Sequence, residues 1–156
     1  MDLVFLLKTL HVIGATVLLG TGAGIAFFMV MAHRTRDAKL IAHTAGVVVI
    51  ADFLFTASAV VVQPISGLAL AALERQSLAQ GWILLSLALY LVAGAFWVPV
   101  VWMQVRMRGL ARAAAAAGQP LPAAYDRLYR IWFAFGFPAF AAVIAIIWLM
   151  VARPTL

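Results

Sequence analysis

Long apolar segments separated by short charged connections run the length of this chain. Four of them contain at most one charged residue each, over residues 12–32, 40–73, 76–105 and 131–152. Each exceeds the roughly 20 apolar residues that a helix needs to cross a bilayer. Because lipid offers exposed backbone groups no hydrogen-bond partner, each segment is expected to be helical. The pattern predicts an all-α integral membrane protein, a four-helix transmembrane bundle formed by one domain over residues 1–156. The predicted helices span about residues 3–32, 39–73, 79–116 and 124–152.

Composition strengthens this interpretation and excludes other classes of protein. Hydrophobic residues make up 67% of the chain and charged residues 10%, against about 25% charged in soluble domains. An ordinary soluble enzyme, a disordered tail and a nucleic-acid-binding domain are therefore excluded, and the expected partner is the lipid bilayer. The chain contains no cysteine, which rules out disulfides, iron–sulfur clusters and thiolate metal sites.

The distribution of basic residues predicts the orientation in the membrane. The first connection carries Arg34, Arg36 and Lys39, whereas the second carries only Arg75. The third carries Arg106, Arg108, Arg112, Arg127 and Arg130. Basic residues concentrate in cytoplasmic loops, so both termini are expected on the non-cytoplasmic side of a bacterial inner membrane, in a multi-pass protein. The first helix is expected to remain as an anchor, because its apolar core is longer than that of a signal peptide.

The second predicted helix carries a polar stripe. Asp52 lies about twelve residues into this helix, and Thr56, Gln63 and Ser66 fall on the same face. For Thr56, Gln63 and Ser66 we expect hydrogen bonds between packed helices. For Asp52, such a structural role and a role in a proton path or polar cavity are equally open.

The third predicted helix carries a matching stripe. Its members are Ser86, Tyr90, Gly94, Trp97 and Gln104. Their helical spacing is typical of packing rather than of a cofactor site. This face is expected to point towards the second helix.

His11 lies within the first predicted helix, near its outer end. It shares a face with Ala15 and Gly22, whose small side chains leave room for a flat ligand. Imidazole suits iron, copper and zinc, but a histidine hydrogen-bonded to a neighbouring carbonyl is the simpler alternative. His33 and His43 are expected to be solvated at the opposite membrane face.

Gly20 and Gly24 form a GxxxG pair in the first helix. Small residues at this spacing let two helices approach closely. The pair predicts either a homo-oligomer or a contact with a neighbouring helix of the same chain.

Two segments resemble the HemJ-type protoporphyrinogen oxidases. The first is Leu-Lys-Thr-Leu-His-Val-Ile at residues 7–13, which opens the first helix. The second is Tyr-Arg-Ile-Trp-Phe at residues 129–133, followed by Pro138 and an aliphatic run that ends at residues 151–154. As a whole, the chain is more similar to a bacterial DUF-type family of predicted four-helix membrane proteins beside the HemJ-type and CopD-like proteins.

The resemblance implies an oligomeric protein that binds haem b through a histidine in its first helix. That role falls on His11, and the carry-over extends to Lys8. Gly22, which shares the helix face of His11, is expected in the same cofactor site. The other axial ligand would come from Met150, at a similar depth on the fourth predicted helix, or from a second subunit. The chain has Phe-Gly at residues 135–136 where those oxidases have Asn-Glu. The resemblance therefore supports haem binding more strongly than it supports porphyrinogen oxidation.

The leading functional hypothesis is therefore electron transfer or a HemJ-like oxidoreductase activity with haem b. Two other classes stay open. One is a small transporter or ion-handling protein that uses Asp52, and the other is an accessory subunit of a larger membrane complex. No motif identifies a catalytic residue.

Overall fold

The fold consists of four long helices joined by short connections. The structure is a computed structural model and describes residues 2–155. Its helices are α1 (Leu3–Thr35), α2 (Ala38–Leu73), α3 (Gly81–Ala117) and α4 (Ala123–Ala152), each long and apolar enough to cross a membrane. Residues 2–155 contain no strand. The predicted all-α, four-span architecture is confirmed, while the orientation of the termini stays a prediction.

Polar side chains and glycine define the helix ends. The Asp37 carboxylate accepts a hydrogen bond of 2.8 Å from the backbone of Lys39 and caps α2. Helix α3 ends before Gly118, whose φ of 62° requires the left-handed conformation that glycine adopts easily. Helix α1 continues to Thr35, beyond the predicted end at residue 32, because charged residues at a membrane surface do not interrupt a helix.

Helix α2 is not a uniform α-helix. Residues Asp52–Thr56 form a π-helical turn within the predicted span, a local feature that the sequence analysis did not predict. Such turns carry an extra residue and are frequent at functional sites. The half before the turn, Ala38–Ala51, packs against α1 and α3, whereas the half after it, Ala57–Leu73, packs mainly against α1.

The apolar core lies at the end of the bundle that carries the two basic connections. Its largest fully buried apolar side chains are Met29, Ile41, Met107 and Tyr125. Elsewhere large apolar side chains point outwards, and Leu91 is 72% exposed. Such a surface is stable only against lipid, which is as apolar as these side chains.

His33 is half-buried beside this core, so the prediction that it is solvated holds only in part. Its ring stacks on Tyr129, with 3.5 Å between ring centroids, and lies 5.8 Å from the ring of Tyr125. Its Nδ1 atom is buried and has no hydrogen-bond partner within residues 2–155. The tyrosines come from α4, a neighbour that the local sequence does not reveal. His43 is exposed, as predicted.

An ion pair closes the same end of the bundle. The guanidinium of Arg36 donates hydrogen bonds of 2.6 and 3.1 Å to the two carboxylate oxygens of Asp126. These bonds raise the pKa of Arg36 above its usual value. The pair joins the α1–α2 connection to α4, although its exposure to solvent limits its contribution to stability.

The GxxxG pair of α1 is not packed against another helix of the chain. A Cβ atom added at Gly20 or Gly24 would meet nothing within 4 Å, so these glycines do not admit another helix of this chain. The prediction of an intramolecular contact is therefore wrong, and self-association stays a prediction.

Gly20→Leu is expected to abolish crosslinked dimers in native membranes, because the leucine side chain would separate two helices that meet at this face. Ala88→Leu, at an exposed position of α3, is the control and should crosslink like the wild type. A protein that is monomeric in all three forms would contradict self-association.

Candidate functional site

The polar stripe of α2 lies inside the bundle, as predicted. Asp52, Thr56, Gln63 and Ser66 are all buried, and Asp52 is 3% exposed. The stripe divides into two sites, one around Asp52 and one around His11. The residues between Asp52 and Gln63 separate the sites by about 16 Å along the helix.

The Asp52 site is a hydrogen-bond network across three helices. The indole of Trp97 donates to Asp52 Oδ1 at 3.3 Å. The Gln104 amide is oriented with its nitrogen towards Asp52, because only then do both of its ends find partners. Its nitrogen donates to Asp52 Oδ2 at 2.6 Å and its oxygen accepts from Trp132 Nε1 at 3.3 Å. The network joins α2, α3 and α4 in the middle of the bundle.

The stripe of α3 faces α2, as predicted. Besides Trp97 and Gln104, the hydroxyl of Tyr90 donates to the carbonyl of Val60. The Thr56 hydroxyl is buried beside Asp52 and has no hydrogen-bond partner among the described residues.

Asp52 is therefore surrounded by neutral donors and has no ion-pair partner within residues 2–155. Neutral donors stabilise a carboxylate without cancelling its charge. A buried carboxylate of this kind can accept a proton or attract a cation, so its chemistry differs from that of a packed serine or glutamine.

The His11 site lies at the opposite end of the bundle from the core, where α1 meets the second half of α2. His11 Nδ1 is 2.8 Å from the Ser66 hydroxyl. That hydroxyl also lies 2.7 Å from the carbonyl of Val62; when it donates its proton to this carbonyl, its oxygen accepts from His11 and Nδ1 carries the hydrogen. In this tautomer the lone pair of Nε2 is available, and Nε2 has no hydrogen-bond partner among the described residues.

Two glycines allow α1 and α2 to approach closely at this site. A Cβ at Gly67 would lie 3.1 Å from His11 Cε1, and one at Gly14 would lie 2.7 Å from Gln63 Nε2. The Gln63 amide donates to the His11 carbonyl at 2.8 Å. These contacts fix the imidazole against α2. Sequence reasoning missed both glycines, although small residues beside polar ones are typical of close helix contacts in membranes.

The other residues predicted for the His11 site have separate environments. Lys8 forms an ion pair with Glu74 at the end of α2. A Cβ at Gly22 would meet nothing within 4 Å, so the space beside it is open. Residues 2–155 contain no group of three or more histidine and acidic side chains that could hold a metal ion. A metal at His11 would therefore need further ligands from a cofactor, from a methionine or from another subunit.

These features define a four-span integral membrane protein with two polar sites inside its bundle. Residues 5–154 match the family described as predicted integral membrane protein (DUF2269), and the chain belongs to this family. No curated protein and no solved structure matches the chain. The resemblance to HemJ-type and CopD-like proteins stays a hypothesis.

Proposed function

We propose that this protein binds haem b through Nε2 of His11 and transfers electrons within the membrane. The observation that carries the proposal is the placement of the imidazole, with Nδ1 at 2.8 Å from the Ser66 hydroxyl and Nε2 without a partner among the described residues. Histidines that bind metals almost always donate their second nitrogen to an acceptor, which fixes the tautomer and the ring orientation.

The looser packing at the end of the bundle that carries His11 supports the binding of a bulky group there. The second half of α2 packs mainly against α1, and the clustered apolar core lies at the other end of the bundle. The outer end between α2 and α3 is therefore the less tightly packed part. Haem b, when bound, supplies one-electron chemistry at its iron. Met150 of α4 or a second copy of the chain would provide the other axial ligand.

The residues before Pro138 favour electron transfer over porphyrinogen oxidation. Phe135 packs edge-on against Phe96, with 5.2 Å between ring centroids, and Gly136 follows it. Neither Phe135 nor Gly136 carries a titratable group. This segment therefore offers no acceptor for the protons that an oxidised porphyrinogen must lose.

Haem binding is tested by purifying the wild-type chain from cells supplied with a haem precursor. The proposal predicts a Soret band and a pyridine haemochrome spectrum of b type, at up to one haem per chain. Circular dichroism monitors the helical fold in the same preparation. A helical protein that stays colourless would contradict the proposal.

A second candidate function rests on the Asp52 site. A buried carboxylate that has several neutral donors and no counter-charge, beside a π-helical turn, suits the binding of a proton or a small cation. Its position in the middle of the bundle favours a role in ion movement across the membrane. This function does not require His11.

Asp52→Asn is expected to abolish proton or cation flux into proteoliposomes, because it keeps the shape of the side chain and removes its charge. Glu74→Gln changes a carboxylate at the end of α2 and should leave the flux unchanged. Flux that persists in Asp52→Asn, or that the wild type lacks, would contradict this second function.

A further inference from the structure

A groove opens between α2 and α3 at the end of the bundle that carries the basic connections. Its volume is about 330 Å³, and its lining includes His43, Gly46, Ile50, Arg108 and Arg112. One wall is therefore basic and the other largely apolar. Neither the Asp52 site nor the His11 site includes any of these residues.

The two arginines of the groove have no ion-pair partner among residues 2–155. Five acidic residues occur in the whole sequence. Asp37 caps α2, Asp52 lies in the buried network and Asp126 pairs with Arg36. Asp2 and Glu74 lie at the opposite end of the bundle. The two guanidinium groups of the groove are therefore available to bind an anion from outside the chain.

The apolar wall indicates the form of that anion. Val47 and Ile50 line the groove and are 54% and 65% exposed. They lie further along α2 towards the middle of the bundle than Gly46, which Arg112 covers, so the apolar wall extends from Arg112 into the hydrocarbon region. A phosphate attached to an acyl chain complements both ends of such a groove, whereas a free inorganic anion would complement only one.

Gly46 lets Arg112 lie within the groove. A Cβ atom at this position would be 3.6 Å from Arg112 Nη2, so the guanidinium lies directly over the backbone of α2. Arg108, one helical turn away on α3, points to the same side. Two guanidinium groups at this spacing can share one phosphate group through charge-assisted hydrogen bonds.

We propose that this groove binds an anionic phospholipid, with its phosphate on Arg108 and Arg112 and an acyl chain along Val47 and Ile50. Basic pockets between transmembrane helices recognise anionic headgroups in this way. Bound lipid would fill the seam between α2 and α3 next to the membrane surface.

The test is a titration of the full-length protein in detergent with labelled phosphatidylglycerol, compared with phosphatidylcholine of the same acyl chains. The wild type is expected to prefer phosphatidylglycerol. Arg108→Gln and Arg112→Gln should each weaken its binding about fivefold, and the double variant about thirtyfold. The double variant Arg127→Gln/Arg130→Gln removes the same charge outside the groove and should change the binding less than twofold.

Two further measurements separate the groove from general basicity and from a free phosphate site. Gly46→Leu keeps every charge but fills the groove, and it should lose the preference for phosphatidylglycerol. Inorganic phosphate at millimolar concentration should not displace the labelled lipid. The proposal is overturned if the Arg127/Arg130 control loses as much binding as the groove variant, if Gly46→Leu keeps the preference, or if inorganic phosphate competes.

Discussion

Gln104→Leu is expected to lower the free energy of unfolding by about 1–3 kcal/mol, since it leaves a buried carboxylate oxygen and a buried indole without their partners. The Gln104 side chain is fully buried and joins Asp52 of α2 to Trp132 of α4. Loss of this link should loosen three helices at once. The change is measured as the shift of the unfolding transition in mixed detergent and SDS micelles.

Two further variants show whether the shift comes from the lost hydrogen bonds. Val98→Leu, on the lipid-facing side of α3, should change the unfolding free energy by less than about 0.5 kcal/mol. The double variant Asp52→Leu/Gln104→Leu should be more stable than the sum of the single effects predicts, because it removes both partners together. If Gln104→Leu is as stable as Val98→Leu, the network does not hold the helices together.

The helices and their inward faces follow from the sequence because they depend on local regularities. Apolar length defines a span, and the helical repeat places polar residues such as Asp52 and Gln63 on one face. In a lipid environment an isolated polar face has to turn inwards. The burial of the α2 stripe was therefore predictable, and so was the direction of the α3 stripe that carries Trp97 and Gln104.

Features that depend on partners from distant parts of the chain were not predictable. The ring of His33 is half-buried because tyrosines from α4 stack on it, and those lie more than 90 residues away. The π-helical turn at Asp52–Thr56 contains no proline or glycine that would have marked it in the sequence. Gly67 makes room for the His11 ring, and this contact between two helices is not visible in the sequence around Gly67.

The two proposed functions use different residues along the same helix, α2. Ser66 and Gly67 orient His11 in the second half of α2, whereas Asp52 lies at the turn between its halves. Because the sites are about 16 Å apart along the helix, a substitution at one should leave the chemistry of the other intact. Haem content and ion flux can therefore be measured in the same variants.

His11→Ala is expected to abolish haem binding and leave the helical fold intact. The substitution removes the free Nε2 atom, while Gln63 still donates to the backbone carbonyl of residue 11. Ser66→Ala keeps the imidazole but removes the acceptor that holds Nδ1–H. Loss of such a partner typically weakens metal binding about 10- to 100-fold, so this variant should bind haem weakly rather than not at all.

The decisive measurement is the Soret absorbance per mole of protein for the wild type, His11→Ala, Ser66→Ala and the exposed control His43→Ala, all prepared with ample haem. Haem ligation by His11 predicts a full band in the wild type and in His43→Ala, a reduced band in Ser66→Ala and none in His11→Ala. An equal band in His11→Ala and the wild type would show that His11 does not ligate the haem. A helical wild-type protein with no band would show that the chain does not bind haem.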